Sequence, residues 1–146
     1  MFAPTEIAPV DWEAFARARA GLGANFVRIL GYFREDGVKS VSEIEQAVRA
    51  QHAAALVLPA HTLKGEARQF GAEPLADLAE TIENIARSCV ETHEPPREAI
   101  EHAARLRPLF EATLGALERA ATPLVERRGG FGRKASAGAA FGQVRN

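Results

Sequence analysis

The chain contains very little of several residue types, and each scarcity excludes a class of protein. Cys89 is the single cysteine among 146 residues, so an internal disulfide and a cysteine-rich zinc site are excluded. No uncharged apolar run approaches the roughly 20 residues that a membrane-spanning helix needs. Nothing near the N-terminus resembles a signal peptide. We therefore expect a single cytoplasmic domain.

A large excess of either charge is lacking as well. The 18 Lys and Arg residues nearly balance the 19 Asp and Glu residues, which gives a formal net charge of −1. This balance does not indicate a nucleic acid or an anionic membrane as partner. Only the stretch from Arg127 onward is locally basic.

The histidines do not have the spacing of a metal site in a helical protein. Such sites pair a Glu with a His three residues later, or two histidines four residues apart. None of His52, His61, His93 and His102 has either partner at that spacing. We therefore predict no metal site and no cofactor of the protein's own.

Strand patterns are absent, whereas helical periodicity runs through most of the chain. We predict an all-α fold, an antiparallel four-helix bundle with a short extra N-terminal helix. Residues 1–10 are predicted to be an irregular lead-in and residues 11–121 the bundle. Residues 122–146 form a Gly/Ala/Arg-rich tail, in which Phe131-Gly132-Arg133 and Phe141-Gly142-Gln143 are either solvated or a short docking motif.

Capping residues and apolar stripes predict the first two helices. Asp11 is a good N-cap for a short helix that Gly21 and Gly23 should end. A long second helix is predicted from about Ala24 to about Ala50, because its apolar positions keep one phase throughout. Gly37 falls within that phase and is predicted to be a point of close approach between helices.

Three further helices are predicted after residue 50. The third begins between Ala53 and Pro59 and ends at Gly71, and the fourth begins near Pro74. The fifth is predicted from about Arg97 to about Ala121. Pro108 should kink or split it, and its predicted buried stripe is Ile100, Ala103, Leu106, Phe110, Leu114 and Leu117.

The third helix separates into two faces when it is read at about 100° per residue. One face is apolar and should be buried: Leu56, Ala60, Leu63, Ala67 and Phe70. The opposite face carries His61, Lys64, Gly65 and Arg68. Gly inside a helix costs about 1 kcal/mol relative to Ala. Because Gly65 lies one turn after His61, we expect it to leave room for a large partner at the imidazole.

The cations beside His61 suggest a chemical role for the ring. Two cations close to an imidazole disfavour its protonated form and leave a neutral nitrogen free to act as a nucleophile. Lys64 and Arg68 would then stabilise the anionic oxygens of a phosphoryl group on that nitrogen. An incidental surface histidine is the simpler alternative, but it explains each of these residues separately.

The run His61-Thr62-Leu63-Lys64-Gly65 closely resembles the signature of histidine-containing phosphotransfer (HPt) domains. The later part of the signature also matches, and the similarity covers about residues 11–121: Phe70-Gly71-Ala72, Leu75, Leu78, Ile82 and Glu83. Glu66 departs from the small residue that is usual after the glycine, which should affect the choice of partner more than the chemistry.

The resemblance implies a phosphorelay intermediate. His61 would take a phosphoryl group from the aspartate of one receiver domain through Nε2 and pass it to another receiver. Lys64 and Arg68 would steady the charge and Gly65 would clear the path, while Mg²⁺ would belong to the receiver. The sequence has no glycine-rich nucleotide loop, so we predict a phosphocarrier without kinase activity. We also expect the protein to be a monomer.

The predicted partner-binding residues are Val57, Leu58, Thr62 and Gln69. Val57 and Leu58 are apolar and lie on the histidine side of the helix, where they either form an apolar rim for a receiver or pack against the first helix.

Three other functions are consistent with a helical chain of this kind. The dimerising module of a histidine kinase would carry an acidic residue directly after the histidine and then a Thr-Pro or Asn-Pro pair, whereas Thr62 and Gly65-Glu66 stand at those places. A helical adaptor would bind a signalling partner with His61 incidental. A helical metalloprotein is the most distant of the three.

Overall fold

The computed structural model describes residues 9–121, and every regular element in that range is helical. The helices are α1 (Trp12–Leu22), α2 (Phe26–Arg49), α3 (Ala53–Gln69), α4 (Glu73–Thr92) and α5 (Ala99–Ala121), with one 3₁₀ turn (Gly23–Asn25) before α2. The prediction of an all-α fold is confirmed. Residues 1–8 of the predicted lead-in and the whole predicted tail, 122–146, lie outside the described residues.

Helices α2 to α5 form the four-helix bundle. Each of them packs against the next in sequence, and α5 closes the bundle against α2. Helix α1 caps one end, where Asp11 accepts hydrogen bonds from the first-turn amides and its own N–H donates to the Gly71 carbonyl at 2.7 Å. Gly71 has φ +79, and a Cβ there would lie 2.7 Å from the Asp11 carbonyl oxygen, so the turn after α3 requires glycine.

Phenylalanine rings join α1, α2, α3 and α5 in the core. Phe15, Phe26, Phe70, Phe33 and Phe110 contact one another in that order, with ring centroids 5.3–5.8 Å apart. These separations are those of favourable aromatic pairs. The predicted apolar face of α3, which includes Phe70, is fully buried against this core.

Helix α2 runs without a break through Gly37, as the unbroken apolar phase predicted. Gly37 is buried opposite α5, where a Cβ would lie only 2.3 Å from Cε1 of Phe110. The prediction of a close helix approach at this glycine is confirmed.

Helix α5 is one continuous helix that contains Pro108, so the proline does not split it. The prediction that Ile100 is buried is wrong, because its side chain is 52% exposed. The helix begins at Ala99 rather than near Arg97, and Ala99 is the fully buried residue of the first turn. Ile100 lies about 100° further round the helix and therefore turns away from the core.

Helix α3 starts at the early end of its predicted range. His52 is its N-cap, with Nδ1 accepting a hydrogen bond from the Ala55 N–H at 3.3 Å. Pro59 consequently lies in the second turn, buried within the helix. No helix in residues 9–121 has the length and apolar character to cross a membrane.

Candidate functional site

His61 lies in the middle of α3 on the face opposite the buried stripe. Its side chain is 57% exposed, whereas Ala60 and Leu63 beside it are fully buried. The apolar side chains of α3 hold the helix against the core and leave the imidazole at the surface. The ring is therefore positioned by a rigid element and is accessible to a partner.

The imidazole is oriented by a carboxylate from α4. Nδ1 of His61 lies 3.0 Å from Oε2 of Glu83, whose side chain is only 4% exposed. An ionised carboxylate only accepts hydrogen bonds, so Nδ1 carries the hydrogen in this contact. In the neutral ring the lone pair is then on Nε2, the nitrogen that is not engaged by Glu83.

Glu83 is held by two cations as well as by the ring. Nη2 and Nε of Arg87 donate to Oε2 at 2.7 and 3.0 Å, and Nζ of Lys64 lies 2.8 Å from Oε1. The Lys64 contact is close but poorly aligned for a hydrogen bond, so we treat it as an ion pair. Burial raises the pKa of Glu83, but the contacts from Lys64, Arg87 and His61 outweigh it and lower the pKa to about 2. Glu83 is therefore a carboxylate at any physiological pH.

The structure brings Lys64 into the His61 cluster but not Arg68. The Arg68 guanidinium contacts three carboxylates of α4: Glu80 at 2.9 Å, Asp77 at 3.2 Å and Glu73 at 3.5 Å. The group that touches the imidazole is thus a carboxylate and not a cation, which differs from the arrangement expected from α3 alone.

Two residues of the cluster were not assigned a role from the sequence. Glu83 belongs to the family signature, which gives it no role here, and Arg87 lies outside that signature. A signal for both is present: Glu83 interrupts the apolar stripe of α4 beside Ile82, and Arg87 follows it by four residues, the spacing of a helical ion pair.

Gly65 leaves open space beside His61. It is exposed, and a Cβ built on it would have no neighbouring atom within 4 Å. The packing of the bundle therefore does not require glycine at this position. The missing side chain of Gly65 can therefore matter only for a partner molecule that approaches this surface of α3.

The predicted partner-binding residues differ in exposure. Leu58 is 71% exposed, Gln69 is exposed and Thr62 is half-buried. Val57 is partly buried and packs against the core, so only Leu58 of the two apolar residues is free to form a rim. Within residues 9–121, no three His, Cys, Asp or Glu side chains come together in a way that could hold a metal ion.

Comparisons with known proteins point to the same family as the sequence motif. The family model described as the Hpt domain matches residues 28–121. Among solved structures, histidine-containing phosphotransfer protein B (HptB) of Pseudomonas aeruginosa PAO1 is similar in fold, with a TM-score of 0.70 and 20% sequence identity. The match covers 79% of this chain and 96% of that one. No curated protein sequence matches the chain.

Proposed function

Since the chain belongs to the Hpt domain family, the histidine phosphotransfer domains of phosphorelays, we propose that His61 relays a phosphoryl group between two receiver domains. It would accept the group from the aspartyl phosphate of one receiver and deliver it to the aspartate of another. The observation that supports this most directly is the exposed imidazole whose Nδ1 is held by a buried carboxylate. Members of this family are phosphocarriers rather than kinases, and we propose that this chain has no ATP-dependent activity.

The proposed transfer is an in-line displacement at phosphorus. The Nε2 lone pair forms the new N–P bond as the bond between phosphorus and the aspartyl oxygen breaks, and the receiver carboxylate leaves. The ring becomes positively charged while Nδ1 keeps its hydrogen. Glu83 stabilises that developing charge, because it remains ionised and already accepts from Nδ1.

The cations of the cluster would stabilise the phosphoryl group during its transfer. The transferring phosphoryl group carries negative charge on its outer oxygens, and nearby cations stabilise it. Lys64 and Arg87 are close to the ring through Glu83. Arg68 would first have to leave three carboxylates of α4, so we assign the larger share of this role to Lys64 and Arg87.

A receiver would dock on one flank of α3. Read as a helical wheel, five residues lie within about 100° of arc, on the side of His61 that faces α2. We call this the docking face: Leu58, His61, Thr62, Gly65 and Gln69. The receiver would supply the Mg²⁺. We also propose that the protein is a cytoplasmic monomer.

Replacement of His61 by Gln tests the phosphoryl transfer. Purified full-length protein would be mixed with phosphorylated receiver domains from the same organism. Label should reach the natural protein, be labile in acid and stable in alkali, and be absent from His61→Gln. His102→Gln is the matched control, since His102 lies on α5 and contacts Arg105 instead of the site.

The alternatives predict other outcomes in the same experiments. No label from any receiver, together with partner binding that survives His61→Gln, would favour the adaptor. Label arriving from ATP and Mg²⁺ alone would contradict the absence of kinase activity. A dimer by light scattering would contradict the monomer and favour the histidine kinase module.

Replacement of Gly65 by Ala should separate docking from folding. The added Cβ meets no protein atom and removes the helix penalty of glycine, so stability should rise by up to about 1 kcal/mol. The same Cβ lies where a receiver must approach, and we expect transfer to slow by about 10- to 100-fold. Thermal unfolding and transfer kinetics measure the two effects.

Gly31→Ala is the control for that substitution. Gly31 is also helical with nothing near its Cβ position, but it lies on α2 outside the docking face. It should gain stability and keep its transfer rate. Transfer at the natural rate by Gly65→Ala would contradict the need for open space beside His61.

A further inference from the structure

A groove lies between α2 and α5 at the end of the bundle where α5 finishes. It encloses about 360 Å³ and is lined by Val27, Leu30, Gly31, Arg34, Glu118 and Ala121. Of its apolar side chains, Leu30 is buried, whereas Val27 is 68% exposed. An apolar cavity of roughly 150 Å³ holds one benzene molecule. The groove therefore has room for more than one aliphatic side chain, and alanine in place of Gly31 would add a methyl group without filling it.

Two contacts fix the point at which the chain leaves α5. The carboxylate of Glu118 pairs with Arg34 of α2. Nη1 of Arg19, on α1, donates to the carbonyl of Ala120 at 3.4 Å. The last turn of α5 is thus held against two other helices, and its final residue, Ala121, lines the groove. Whatever follows Ala121 in the chain therefore starts at the edge of the groove.

The sequence directly after Ala121 supplies aliphatic side chains within reach of the groove. Pro123 lacks an N–H and disfavours helical backbone at the residue before it, so the chain is expected to turn away from the axis of α5. Leu124 and Val125 come next, and the rest of the tail has no other pair of adjacent large aliphatic residues. Three residues span at most about 11 Å, so Leu124 cannot lie further than that from Ala121.

We propose that Leu124 and Val125 fold back into the groove between α2 and α5 and cover Val27. The contact would bury apolar surface of both the groove and the tail, which stabilises the folded chain. Because the segment is tethered three residues from the groove, its effective concentration there is high and closing the short loop costs little entropy. Ile100, another exposed apolar residue of α5, is at the opposite end of that helix and has no such segment beside it.

Denaturant unfolding of the full-length chain tests the contact from the side of the tail. Leu124→Ser combined with Val125→Ser should raise the unfolding equilibrium constant by about 10-fold, because both aliphatic side chains would leave the groove. Phe131→Ser combined with Phe141→Ser is the matched control. It also replaces two apolar residues of the tail and should leave the constant within about twofold of the natural value. Equal losses in the two variants, or no loss in either, would overturn the proposal.

Val27→Thr tests the same contact from the side of the groove. It keeps the size and branching of the side chain, so at a position open to solvent it should hardly change stability. Beneath Leu124 the hydroxyl would be desolvated, and the unfolding constant should rise several-fold in the natural chain but little when Leu124 and Val125 are already serine. Val38→Thr is the control, three turns along α2 and 46% exposed, and should have little effect in either background. Equal effects of Val27→Thr in both backgrounds would contradict the contact.

Methyl NMR of the natural chain identifies the occupant of the groove. Cross-peaks from the methyl groups of Leu124 or Val125 to those of Val27 are expected at every protein concentration. Cross-peaks between Val27 and another molecule in a mixed-label sample, together with a dimer by light scattering, would assign the groove to a second copy of the chain instead. Val27 methyl groups without a cross-peak to any other residue outside α2 and α5 would leave the groove open and overturn the proposal.

Receiver binding should not depend on this segment. No residue that lines the groove belongs to the docking face, so phosphoryl transfer to the Leu124→Ser, Val125→Ser variant should proceed at the natural rate. Faster transfer would indicate that the two residues cover the docking face instead of Val27. The unfolding and NMR experiments need no receiver, so their outcome is independent of the proposed function.

Discussion

Glu83→Gln should slow phosphoryl transfer to His61 by about 10- to 100-fold while the protein remains folded. The amide oxygen can still accept a hydrogen bond from Nδ1, but the negative charge that balances the ring during transfer is gone. Residues that hydrogen-bond to a functional histidine, and so fix its orientation and raise its basicity, typically have effects of this size. Receiver affinity should change little, because Glu83 is buried and is not part of the docking face.

The same substitution should lower stability at neutral pH. Lys64 and Arg87 lose their common carboxylate, although both can regain some solvation, so we expect a loss of about 1–3 kcal/mol. The pKa of Glu83 is about 2 in the folded protein against an ordinary 4.5, so its contribution is present above about pH 4.5 and is lost as the pH falls towards 2. Natural and variant proteins should therefore approach each other in stability on acidification.

Glu80→Gln provides the control for Glu83→Gln. Glu80 is on the same helix and pairs with Arg68 at 2.9 Å, but its side chain is 43% exposed. Exposed ion pairs contribute about 0–1 kcal/mol. Transfer kinetics, unfolding at pH 7 and 3, and ¹⁵N NMR of the His61 tautomer should all separate the two variants. Equal effects of both substitutions would contradict a positioning role for Glu83.

Gly37→Ala should destabilise the protein by about 1–3 kcal/mol, even though alanine is the better helix former. The new Cβ would lie 2.3 Å from Cε1 and 2.5 Å from Cζ of Phe110. The Phe110 ring is buried and packs against Phe33, so it has little room to turn and α2 must separate from α5. Overpacking of this kind outweighs the gain of about 1 kcal/mol in helix propensity.

Chemical denaturation of Gly37→Ala beside Gly31→Ala isolates this effect. Both glycines are in α2, but only Gly37 faces another helix at close range. Gly31→Ala should be as stable as the natural chain or more so. Combining Gly37→Ala with Phe110→Leu should cost less than the sum of the two single substitutions, because the smaller side chain relieves the contact. Additive losses would contradict the proposed clash.

Local patterns within single helices were enough to predict much of the fold. The unbroken apolar phase of α2 predicted both its continuity and the close approach at Gly37. The two faces of α3 correctly divided buried residues such as Leu63 from the exposed His61. These predictions depend only on helical geometry, which the spacing of residues determines.

The environment of His61 could not be predicted in the same way. The contact between His61 and Glu83 depends on how α3 and α4 are aligned, and the spacing within either helix does not determine that alignment. Arg68 was expected near the imidazole because both lie on one face of α3, yet the carboxylates of α4 bind it instead. The exposure of Ile100 also depended on the residue at which α5 begins.

The reactive cluster comes from a single helical hairpin. His61 and Lys64 are on α3, Glu83 and Arg87 are on α4, and only the short turn around Gly71 separates the two helices. The longest contact of the cluster, between His61 and Glu83, joins residues 22 apart in the chain, so closing it costs little loop entropy. We expect the hairpin to pair early in folding, with α5 completing the core afterwards. Hydrogen exchange during refolding should then protect amides of α3 and α4 before those of α5.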